Sequence, residues 1–182
     1  SRDIEDFLYL CINHKSIKMK KISILTLLII FISCQNNQMG DKSDWAGVTT
    51  QNDEKTKIVE KLAKGYEQGK FEIAREYFSP DGKHMVNLES YTVDEIIEGY
   101  NFHSVLYDDL EHIDPVVHTT VYNNDSVFTN QWANWRGVSK ITGEESKLTF
   151  HCWWKWEGDK IVQTQCYFET ADLLKEAALY AE

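Results

Sequence analysis

The stretch 147-KLTFHCWWKWEGDKIVQTQCYF-168 decides how this chain folds. Two runs rich in β-branched and aromatic residues meet at Glu157-Gly158-Asp159-Lys160, and a Gly-Asp pair between such runs is the mark of a two-residue hairpin turn. That turn predicts a register in which Glu157 faces Lys160 and pairing continues residue by residue. Leu148, Phe150, Cys152, Trp154 and Trp156 then share a face with Ile161, Gln163, Gln165 and Tyr167. Thr149, His151, Trp153, Lys155, Val162, Thr164, Cys166 and Phe168 form the other. Both faces carry aromatic residues, so neither reads as a plain solvated surface. The face with His151, Trp153, Thr164 and Cys166 is expected to look inward, because it mixes polar groups with aromatic bulk as ligand pockets do. The opposite face is then covered by a second subunit or strand. Six tryptophans suit an apolar pocket, and they suit an aromatic core nearly as well.

Upstream, "PVVHTTVY" and "SVFTNQWANWRGV" have the same texture, and "NND", "TGEE" and "EGD" separate the runs. They predict consecutive antiparallel strands, and Asn124-Asp125-Ser126 reads as a turn between two of them. Before them the period changes. "DEKTKIVEKLAKGYEQ" (53–68) puts Ile58, Val59, Leu62 and Tyr66 on one helical stripe and stops at Gly69. "KFEIAREYF" predicts a second short helix ending before Pro80, and "GKHMVNLES" a short strand. Thr92 and Glu95 form a capping box opening a third helix that reaches about Tyr107. "TADLLKEAALY" predicts a closing helix capped by Thr170. Helices first and a strand meander afterwards give an α+β architecture.

The N-terminal part has a different character. Met19-Lys20-Lys21 precedes an apolar run from Ile22 to Ile32, which is too short for the ~20 residues of a membrane-spanning helix. It reads as a signal-peptide core. Phe31-Ile32-Ser33-Cys34 resembles the lipobox of bacterial lipoproteins, which implies cleavage before Cys34 and lipid attachment to its sulfur. On this reading residues 1–18 are upstream read-through, 19–33 the signal peptide, 34–52 a flexible tether and 53–182 the folded domain. The expected address is the bacterial cell envelope, on the periplasmic side or the outer membrane.

The whole sequence carries 19 basic and 29 acidic residues, a formal charge of -10. Residues 1–33 hold five of the basic and three of the acidic ones, so the mature chain would carry 14 against 26, or -12. Nucleic-acid binding needs a clustered basic surface to neutralise phosphates, and that balance argues against it. The histidines at 14, 84, 103, 112, 118 and 151 show no His-x-x-x-His spacing, and the cysteines no Cys-x-x-Cys, so no metal site and no cofactor is expected. Of the four cysteines, Cys152 and Cys166 fall on opposite faces in the register above, which predicts no disulfide between them.

The order of elements and particular residues resemble the SnoaL-like branch of the nuclear transport factor 2-like superfamily. The residues are Trp154, Trp156, Gly158, Asp159, Lys160, Ile161 and Val162, then Tyr167, Phe168, Asp172, Leu173 and Leu174, together with Tyr107-Asp108-Asp109-Leu110 and Thr142-Gly143-Glu144. The resemblance implies a cone: three N-terminal helices packed in a curved antiparallel sheet, a short C-terminal helix, and often a homodimer through the outer sheet face. It also implies a pocket for a small, largely apolar molecule, for which the candidates are Tyr66, Trp132, His151, Trp153, Thr164 and Cys166.

SnoaL-like cyclases use an aspartate on the last strand as general acid/base, and the position here falls on Cys166 or a near neighbour. This departure favours a lipid-anchored binding domain. The alternatives are isomerase, cyclase or hydratase chemistry using His151 with Asp108, Asp109, Glu169 or a tyrosine, or a protein-interaction module using the outer sheet. His151 reads more readily as a hydrogen-bonded structural histidine than as a base, given the geometry general-base work demands.

Overall fold

The computed structural model describes residues 40–182. The expected signal peptide and Cys34 lie outside the described residues. Seven strands form one sheet in the order β1-β4-β5-β6-β7-β2-β3, with β1 at Gly47–Thr50, β2 at Phe78–Val86, β3 at Glu89–Tyr91, β4 at Tyr107–Tyr122, β5 at Val127–Ser139, β6 at Glu145–Glu157 and β7 at Lys160–Phe168. Helices α1 (Glu54–Glu67) and α2 (Val93–Leu106) pack on one face of this sheet, and α3 (Ala171–Tyr180) closes the chain. This is the α+β cone that the sequence predicts. Among the described residues no helix is long and apolar enough to cross a membrane.

The helix starts follow from their caps. The Asp53 carboxylate accepts from the Thr56 backbone N–H at 2.9 Å and from the Thr50 hydroxyl at 2.6 Å. Val59, Leu62 and Tyr66 form the buried stripe of α1. Thr92 and Glu95 make the expected capping box of α2, which buries Ile96, Ile97 and Leu106. Thr170 occupies the N-cap of α3 without a side-chain bond. The neighbouring Glu169 takes that role, its carboxylate accepting from Ala171 N–H at 2.6 Å.

Two local expectations are corrected. Phe71–Glu76 is a 3-10 helix, not an α-helix. Its buried residues, Phe71 and Ala74, are three apart, the spacing at which a 3-10 helix aligns side chains. The strand expected around His84 belongs to β2 and β3, and β2 pairs parallel with β7, so the sheet is not wholly antiparallel. Pro80 falls within the irregular part of that pairing, between Phe78 and Lys83, where proline costs no ladder bond.

The folded unit also begins before Asp53, because β1 pairs with β4 from Gly47↔Tyr122 to Thr50↔Thr119. This edge is held by backbone contacts and by the Asn123 side chain, whose Nδ2 donates to the carbonyls of Asp41 and Ser43. Composition could not reveal it, since all four β1 residues are exposed. Gly47 is required there: a Cβ would lie 2.3 Å from the Val121 carbonyl oxygen.

The β6–β7 hairpin carries the largest correction. Glu157 does face Lys160, and Trp156 faces Ile161. Between Lys155 and Trp156 the register then shifts by one residue, so Lys155 faces Gln163 and Cys152 faces Cys166. A β-bulge of one residue, at Val162, inverts every later β7 side chain. Thr164 and Cys166 thereby join the face of Phe150, Cys152, Trp154 and Trp156, which is buried against the helices. Cys152 and Cys166 are joined by a disulfide, against the expectation of free thiols.

Candidate functional site

The inner face of the sheet and the two long helices leave a cavity between them. Its void is about 560 Å³ counting the open mouth, of which about 70 Å³ is open to the centres of water molecules. One water needs about 10–15 Å³ by the second measure, so the enclosed part suits a few waters or a molecule of one to two rings. Its walls are mostly aromatic: Tyr66 from α1, Phe71, Tyr100 from α2, Trp135 from β5, and Phe150 and Trp154 from β6. The Cys152–Cys166 disulfide forms part of the wall, and His103, His112 and Gln131 supply its polar atoms.

At one end these polar groups form a connected set. Trp135 Nε1 donates to the Tyr66 hydroxyl oxygen at 2.6 Å, and that hydroxyl lies 2.9 Å from His103 Nδ1. Indole is a donor only, so the phenol must accept from it. With the His103 proton on Nε2, the phenol donates to Nδ1; with the other tautomer, the phenol proton is free for the cavity. Burial holds the Tyr66 and Tyr100 phenols well above their usual range, and it pushes His103 down to about 4. All three are therefore neutral near pH 7.

The His112 ring stacks on Tyr66, with centroids 5.3 Å apart and planes 7° apart. Its Nδ1 lies 3.4 Å from Glu67 Oε1, within electrostatic reach but out of line for a hydrogen bond, so Nδ1 is unpaired. Burial lowers the His112 pKa, with the Glu67 charge opposing that shift and Lys64 adding to it. The Glu67 carboxylate itself accepts from the His112 backbone N–H at 3.1 Å and from Lys64 Nζ at 2.7 Å. Further along the wall, Gln131 is 2% exposed and its Nε2 has no hydrogen-bond partner.

Of the residues expected in the pocket, Tyr66 and Cys166 line the cavity. Thr164 is on the inner face but is occupied by His84, whose Nδ1 lies 2.9 Å from its hydroxyl. His151, Trp153 and Trp132 are on the opposite face. His151 packs between Trp132 and Tyr167, with Nε2 3.2 Å from Asn130 Oδ1, and Trp153 packs edge-on against Phe128. Burial, then the neighbouring His118, holds the His151 pKa low. Of the acids expected as its partners, Asp108 pairs with Lys140 and Glu169 caps α3.

Glu67, His103, His112, Gln131 and Trp135 are at the site without being among its expected residues. A signal for Gln131 and Trp135 was available in β5. Its outward set, Phe128, Asn130, Trp132, Asn134 and Arg136, carries both asparagines and the arginine, while the alternate set of Thr129, Gln131, Ala133 and Trp135 is buried. Among the described residues no three His, Cys, Asp or Glu side chains are grouped to hold a metal ion.

No protein-family model matches the chain. No curated protein matches it either. Solved structures do share its fold. A candidate polyketide cyclase from Xanthomonas campestris pv. campestris is 14% identical with a TM-score of 0.55, over 66% of this chain and 94% of that one. IdmH, a candidate polyketide cyclase from Streptomyces antibioticus, is 15% identical with a TM-score of 0.53, over 69% and 99%. A candidate SnoaL-like polyketide cyclase from Jannaschia sp. CCS1 is 14% identical with a TM-score of 0.50, over 66% and 88%. The described domain thus has the SnoaL-like, nuclear transport factor 2-like fold.

Proposed function

We propose that this protein is a lipid-anchored binding domain of the bacterial cell envelope that takes a small, largely apolar molecule into its cone. The observation that carries the binding reading is the cavity itself, walled by Tyr66, Tyr100, Trp135, Phe150 and Trp154 with few polar atoms between the rings. The Cys152–Cys166 disulfide supports an address outside the cytoplasm, because such bonds persist in oxidising compartments. The anchor would be Cys34. Association of two copies through the outer sheet face fits the exposed Trp132 and Tyr167 there. Native mass spectrometry of protein purified from its source is expected to show a small molecule travelling with it. Apo protein together with no binding of any ring compound would sink the reading.

A second reading has one specific observation in its favour. His112 borders the cavity with a carboxylate 3.4 Å from its ring nitrogen, a distance at which the negative charge would stabilise the cation that a general base becomes. In this reading the imidazole takes a proton from a carbon of the bound molecule and returns it to another position. Deuterium uptake from heavy water into a bound ring ketone, abolished by His112→Asn, would support turnover. Binding without any uptake would leave the first reading alone standing.

A further inference from the structure

The unpaired amide of Gln131 says something about what the cavity takes. Gln131 sits in the middle of β5, opposite Cys152, and is 2% exposed with Nε2 unpartnered. A buried donor left without an acceptor is unfavourable, so an occupant that supplies the acceptor binds in preference to one that does not. The wall here is sulfur and aromatic carbon, from Cys152, Cys166, Phe150 and Trp154.

Charge narrows the occupant further. No Lys, Arg, Asp or Glu is among the lining residues, and burial keeps His103 and His112 neutral and Tyr66 protonated. The nearby Glu67 carboxylate is already engaged by Lys64 and by the His112 backbone N–H. An anion would find no cation, and a cation no free carboxylate, while each would lose its hydration.

We propose that Gln131 is a specificity-determining residue and that the occupant is an uncharged one- or two-ring compound whose acceptor oxygen, of the carbonyl type, takes the Gln131 Nε2 hydrogen. This deepens the binding reading and rests on it.

The test uses the full chain and three probes of similar size: acetophenone, ethylbenzene and benzoate. Binding is read from the fluorescence of Trp135 and Trp154, which line the cavity. Gln131→Met is expected to weaken acetophenone by at least about tenfold while ethylbenzene stays within about threefold, as loss of one buried hydrogen bond requires. Retained ethylbenzene binding also shows that the variant folds. In the native protein, acetophenone is expected to shift the Gln131 side-chain amide resonances and ethylbenzene to leave them in place. Equal effects of Gln131→Met on ketone and hydrocarbon, unshifted amide resonances with bound acetophenone, or benzoate binding as tightly as acetophenone would each overturn the assignment. Failure of every probe to bind would instead remove the binding reading, and this inference with it.

Discussion

Breaking the bond between Cys152 and Cys166 tests the hairpin register and the energetics of the inner face together. The two cysteines are 14 residues apart, and closing a loop of that length removes about 3 kcal/mol of chain entropy from the unfolded state on the entropic account. A domain of this size unfolds with an entropy of about 0.3 kcal/mol/K, so reduction is expected to lower Tm by about 10 °C. The assay is thermal unfolding by near-ultraviolet circular dichroism, with and without a phosphine reductant. It is paired with alkylation before reduction and mass mapping. Trypsin separates Leu148–Lys155 from Ile161–Lys175, so the native bond appears as one cross-linked species that splits on reduction. Free alkylation of Cys152 and Cys166 in unfolded, unreduced protein would refute the shifted register. An unchanged Tm on reduction would keep the bond but refute the entropic argument.

Acidification should destabilise the domain between about pH 6.5 and 4. His84 and His103 are held down to about 4 by burial, so below the unfolded value near 6.5 the unfolded chain binds the extra protons and stability falls with pH, on the order of 3 kcal/mol per histidine when complete. Urea midpoints flat from pH 7 to 5 would contradict this. Glu67→Gln removes the charge that opposes the burial shift of His112, so the His112 midpoint in an NMR titration should fall further; a rise would show that the carboxylate does not act on that ring. Gly47→Ala should release β1, because the new Cβ would meet the Val121 carbonyl oxygen at 2.3 Å. Amide exchange should then lose protection at Gly47–Thr50 while the global unfolding midpoint barely moves, and retained protection would refute the close approach.

Much of the fold was legible because its signals are local. The stripe of Val59, Leu62 and Tyr66, the Thr92–Glu95 box and the Gly158 turn, whose φ of +57° suits glycine, are fixed by residues within a turn of each other. The faces of β7 were not legible, because the bulge at Val162 changes the pairing two residues beyond a turn that was read correctly. Nothing in "KIVQTQCYF" distinguishes the two registers by hydrophobicity alone. The cavity's polar residues were hidden for a related reason: Tyr66, His103, His112 and Trp135 come from two helices and two strands and meet only across the core.

The bulge has a further consequence for how such a cone diversifies. Deleting Val162 would close the bulge and leave Thr164, Cys166 and Phe168 on the cavity side, whereas drawing Val162 into a regular ladder would turn them outward and bring Gln163, Gln165 and Tyr167 in. The lining of this strand is therefore written in two superimposed alphabets, and the presence of the bulge selects between them. Forming or losing that bulge, more than substituting residues within the strand, is the economical way to change the cavity lining on the same scaffold.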